Sequence, residues 1–90
     1  MDKRISLLID ECHSVANLAK GGCPAQTYAA LTPLLEKITN LHPLMSDDFI
    51  PTLNPIIKSL LEAQAIGDLI KISDFLDFEM VYILKNFQKA

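Results

Sequence analysis

The sequence predicts an all-α fold, a single domain over residues 1–90 built as a four-helix up-down bundle, with dimer formation as the outlet for surplus apolar surface. Three observations predict it. Apolar residues recur at spacings of three and four through four successive segments, glycine, proline and capping residues punctuate the gaps, and ninety residues bury only about 60 to 65% of their unfolded surface, enough for one core. Half the residues are apolar and 21% are charged, which argues against disorder and leaves more apolar sequence than a small monomer can hide. A homodimer is therefore expected.

Helix 1 is expected from Lys3 to Lys20, carried by Ile5, Leu8, Ile9, Cys12, Val15, Ala16 and Ala19. Gly21 and Gly22 should close it, since glycine reaches the left-handed conformation, and Pro24 suits the first position of the next helix. Helix 2 should run from Pro24 to Leu41 through Tyr28, Leu31, Leu34, Leu35 and Ile38. Pro33 lies inside it and lacks the amide that would bond to the Ala29 carbonyl, so one bent helix and two short ones, the second capped by Thr32, are both open.

Ser46-Asp47-Asp48 predicts the start of helix 3, combining a capping side chain with two carboxylates in the positive first turn. Phe49, Leu53, Ile56, Leu60 and Ala63 form its seam, with Ile57 and Leu61 alongside. Pro51 falls where amides are unpaired anyway, whereas Pro55 should bend the helix or force a restart at Asn54. Gly67 should end the helix and Asp68 cap the next; a kink in one long helix is the alternative, and a tight hairpin is favoured because one rod of nearly forty residues would leave more apolar surface uncovered.

Helix 4, about Asp68 to Phe87, carries more apolar surface than one helical face holds. At about 100° per residue, Leu69, Ile72, Leu76, Met80, Ile83 and Phe87 fall on one stripe suited to the core. Phe75, Phe78 and Tyr82 fall on a second stripe beside it, which needs either another helix of the same chain, in a monomer that buries both stripes, or another chain; it is the candidate interaction surface for a protein partner or a second copy. Glu79 projects to the edge of the core stripe, where a carboxylate needs a partner or a route to solvent.

Several function classes lose ground on composition. The net charge is −3 and the basic residues are scattered singly, so no phosphate-tracking face for nucleic acid is expected. No apolar run suits a membrane span or signal peptide, no basic band marks a membrane-surface helix, and a cytoplasmic location is the default expectation. Cys12 reads as a core residue on the helix 1 stripe and Cys23 as a turn residue. Cys12 and His13 are neighbours pointing about 100° apart, so with Cys23 and His42 they lack metal-ligand spacing, and no metal or cofactor is expected. No nucleophile–base signature joins His13 or His42 to a partner. Asp74 and Asp77, three apart and flanking Lys71, read as a solvated surface, so no catalytic residue is assigned and no enzymatic activity is expected.

The run Glu62-Ala63-Gln64-Ala65-Ile66-Gly67-Asp68, followed by Asp74-Phe75-Leu76-Asp77-Phe78-Glu79, resembles the C-terminal part of small all-helical proteins of Gram-positive bacteria. It covers about a third of the chain, and the prolines at 51 and 55 depart from it. The resemblance implies a bacterial helical protein and carries no functional residue across. The expected function is a small interaction module of adaptor or chaperone type. The alternative is a helical sensor that holds a small ligand in an apolar pocket near Pro33 and Pro55.

Overall fold

In the computed structural model, which describes residues 1–89, Asp2 starts the first helix by accepting a hydrogen bond from the Arg4 amide at 2.8 Å. Helix α1 spans Lys3–Lys20, α2 Pro24–Thr39 and α3 Phe49–Ile66, with a short 3₁₀ turn at His42–Leu44 between the last two. The final rod runs without a break through α4 (Leu69–Asp74), a π-helical turn (Phe75–Glu79) and α5 (Met80–Asn86). The fold is all-α, with four helical rods.

Two of the links close by the same device. At Gly22 (φ +73°) the Cys23 amide donates to the Leu18 carbonyl and the Gly22 amide to Ala19; at Gly67 (φ +72°) the Asp68 amide donates to Ala63 and the Gly67 amide to Gln64. Both patterns are Schellman closures, which need a residue that tolerates positive φ. Asp68 then caps α4 by accepting from the Lys71 amide at 3.0 Å, so residues 67 and 68 form a hairpin. A Cβ at position 67 would meet only the Tyr28 hydroxyl, at an ordinary 3.7 Å. Gly67→Ala is therefore expected to destabilise the protein by about 1–2 kcal/mol through backbone strain alone, read as a lower urea midpoint.

Both internal prolines are accommodated in continuous helices. Pro33 and Pro55 lie on exposed faces, as do Ala29 and Pro51, whose carbonyls lose a donor, so water can reach the broken rungs. Helix α2 stops at Thr39, two residues before the expected Leu41, yet Leu41 remains buried in the following turn. The expected cap at Ser46-Asp47-Asp48 is realised differently. The Phe49 amide donates to the Ser46 carbonyl at 3.0 Å, and Asp48, in helical conformation, makes no side-chain cap.

Helix α1 lies against α2 and the final rod, and α3 lies against the same two elements. The seam of α1 is buried as expected and meets Leu31, Leu34 and Ile38 of α2, Phe49, Leu53 and Leu60 of α3, and Ile72, Leu76, Met80 and Leu84 of the final rod. Cys12 is fully buried within it. Beyond α5 the chain folds back beside the α2–α3 link: the Ser46 amide donates to the Phe87 carbonyl at 2.8 Å and the Lys89 amide to the Leu44 carbonyl at 3.1 Å. This pairing fixes Phe87 beside α3. No helix among the described residues is long and apolar enough to cross a membrane.

Candidate interaction surface

The final rod contributes both the core wall and an exposed aromatic face. Its π-turn is marked by the Met80 amide, which donates to the Phe75 carbonyl five residues back. One wide turn changes the rotational phase of everything beyond it relative to a straight helix. Ile72, Leu76, Met80 and Ile83 of the expected core stripe are buried, and Leu69 and Phe87 at its ends are half-buried. Ser73, Val81 and Leu84 join them inside, so the buried arc is wider than that stripe.

The three aromatics of the second stripe do not share one environment. Phe78 and Tyr82 are 68% and 62% exposed, whereas Phe75 is half-buried and packs on the core. Phe78 and Tyr82 form one wall of a groove of about 450 Å³; Thr52 and Ile56 of α3 form the other, with Ile83 and Phe87 also lining it. Glu79 lies exposed on the rim, so the burial cost expected for its carboxylate does not arise. Phe75 is not among the residues that line this groove.

A second groove, also about 450 Å³, runs between α2 and α3 over Leu35, Ile57 and Leu61, with Thr32, Glu36, Thr39 and Asn40 along the α2 side. Neither Pro33 nor Pro55, near which the sequence places an apolar pocket, is among its lining residues. Its polar edge comes from α2 and the Asn40 that follows it.

Asp77 is not the solvated residue that the sequence suggests. Its side chain is only 10% exposed and turns onto α1, where Oδ1 lies 2.8 Å from His13 Nδ1 and Oδ2 accepts a hydrogen bond from Lys20 Nζ. Partial burial pushes its carboxyl up, but the hydrogen bonds and charges of Lys20 and His13 outweigh burial and hold it below the ordinary value. Both carboxylate oxygens are engaged, so the group clasps the π-turn to α1. His13 and Lys20 are seven apart on α1 and hence on one face, the signal from which the clasp could have been found. Asp74, by contrast, is exposed. A second interhelical pair, Lys37 to Glu11 at 3.0 Å, ties α2 to α1.

Burial, with Glu11 and Asp77 nearby, pushes the Cys12 thiol up to about 12, so it stays protonated at neutral pH and packs as a small hydrophobe. His42 is exposed, and Cys23 is a half-buried free thiol beside the α1–α2 turn. No group of three or more metal-ligating side chains occurs among the described residues. Comparisons with protein-family models, curated proteins and solved structures return no match.

Proposed function

We propose that the chain is a small protein–protein interaction module of adaptor or chaperone type, an up-down four-helix bundle whose Phe78–Tyr82 groove receives an apolar helix. The observation that carries this reading is the exposure of two large aromatics on one groove wall while every other phenylalanine is buried or half-buried. Aromatic rings commonly anchor helix-in-groove contacts because each buries about 150–250 Å² with few rotatable bonds. The short links at Gly22 and Gly67 support the up-down arrangement, since each reverses the chain between neighbouring helices. Ile83 and Phe87 are held in place by the core and by the pairing with the α2–α3 link, so the groove is preformed.

The test is affinity capture from the native host with the wild-type chain and a Phe78→Ser, Tyr82→Ser double variant. The double variant is expected to keep its helical circular dichroism and lose the captured species. Equal capture by both chains contradicts the reading.

A second reading, a sensor of small ligands, is favoured by the α2–α3 groove, whose apolar floor and one-sided polar edge suit an amphipathic molecule. Native mass spectrometry of the freshly purified protein tests it. A retained mass lost on Leu35→Trp supports a ligand in this groove, and a bare chain mass contradicts it.

A further inference from the structure

Phe87 lines the end of the Phe78–Tyr82 groove, one turn of the rod beyond Ile83, yet it stands outside the helices. It is the C-cap of α5, with φ −111° and ψ 21°, and it begins the segment 87–89 that folds back beside the α2–α3 link. At about 100° per residue, Ile56 and Thr52 lie about 20° and about 60° from Phe49 on α3, so the α3 wall of the groove leads on to Phe49. Phe49 is fully buried, although it is the first residue of its helix. Ser46 ties the two phenylalanines together: its amide donates to the Phe87 carbonyl at 2.8 Å, and its carbonyl accepts from the Phe49 amide at 3.0 Å.

The returning segment is lightly fastened. Phe87 and Gln88 are half-buried and Lys89 is exposed, so none adds a fully buried side chain, and no ion pair among the described residues involves them. Two backbone hydrogen bonds hold it to the link, the second from the Lys89 amide to the Leu44 carbonyl at 3.1 Å, and Gln88 Nε2 donates back to the Leu84 and Lys85 carbonyls at 3.2 Å each. A segment with so few buried contacts opens locally at far lower cost than the four-rod core. From this placement we infer that residues 87–89 are a strap whose release frees the Phe87 ring and lengthens the groove by about one helical turn, onto Phe49. The groove lined by Phe87 is the closed state, shaped for a short apolar helix, and the released state admits a longer one. This inference rests on the groove as the interaction surface and adds how its length is regulated.

Amide hydrogen exchange of the whole chain, followed by NMR, tests the opening. The Ser46 and Lys89 amides are expected to share one protection factor, about a hundredfold below that of the Leu60 amide inside α3. Lys89→Pro deletes the donor to Leu44 and is expected to lower Ser46 protection about tenfold further, with Leu60 protection and helical circular dichroism unchanged. The fluorescent apolar probe anilinonaphthalenesulfonate is then expected to bind Lys89→Pro more tightly than wild type, and adding Phe78→Ser and Tyr82→Ser is expected to remove that gain. A Ser46 amide as protected as Leu60, or loss of helical circular dichroism in Lys89→Pro, overturns the inference, because the segment then belongs to the global fold. A probe gain that survives the added groove substitutions, or no gain despite lowered Ser46 protection, overturns the link between strap and groove. These measurements use the chain alone, so they can fail while capture succeeds, and capture can fail while they hold.

Discussion

Phe49→Ala is expected to cost about 3–5 kcal/mol, the cost of emptying a fully buried aromatic site. Phe49 opens α3 at the point where the α2–α3 link and the returning C-terminal segment meet, and its ring is closed off from solvent on all sides. For a chain of this length the melting temperature should fall by about 15–30 °C, which takes a marginal domain close to unfolding at room temperature. Phe78→Ala, measured at a concentration too low for association, is expected to change stability by no more than about 0.5 kcal/mol, because its ring is already largely in water. Urea denaturation of the two variants measures both values. The contrast separates a phenylalanine that holds the fold from one that the fold merely displays.

Asp77→Ala is expected to cost about 1–3 kcal/mol, by removing the carboxylate that joins the π-turn to His13 and Lys20. Both α1 partners are about half exposed and return to water in the variant, which keeps the loss below that of a fully buried pair. The effect has a defined pH dependence. The Asp77 carboxyl lies lower in the folded chain than its ordinary value of 3.8, so the unfolded state takes up the proton first as pH falls. Its contribution is therefore fully present above about pH 4 and is lost as pH drops through the folded-state value. Wild type and Asp77→Ala should differ by a constant amount at neutral pH, and the charge-dependent part of that difference should shrink on acidification below that point. Denaturation curves at neutral and acid pH test this; a difference that grows on acidification contradicts the assigned pairing.

The helix pattern was legible in the sequence because its signals are local. Two glycine stops, Pro24 at a helix start and Asp68 as a cap act through the backbone within a few residues, and each appears where expected. The prolines were ambiguous because their effect depends on which face they occupy. Pro33 and Pro55 lie on exposed faces, and continuous helices survive. Ser46-Asp47-Asp48 misled in detail, since the link is also held by the returning C-terminal segment, a long-range contact no local motif encodes.

The site was half legible. Phe78 and Tyr82 are exposed aromatics beside a core stripe, as helical periodicity indicates, but Phe75 precedes the phase change of the π-turn and packs on the core. A uniform projection at about 100° per residue cannot register such a turn. Asp77 was missed for a related reason. Its spacing from Asp74 and Lys71 resembles a solvated surface, and only the approach of α1 brings His13 and Lys20 to it.

The central claim is that Phe78 and Tyr82 form an association surface and not displaced core. The measurement that tests it most directly is a titration with the species captured from the native host, followed through the aromatic-ring resonances of the protein. The Phe78 and Tyr82 rings are expected to shift as that species is added while the Phe75 ring, outside the groove, stays fixed, and the shifts should saturate as the complex forms. Rings of Phe78 and Tyr82 that remain unchanged while the complex forms would contradict the account.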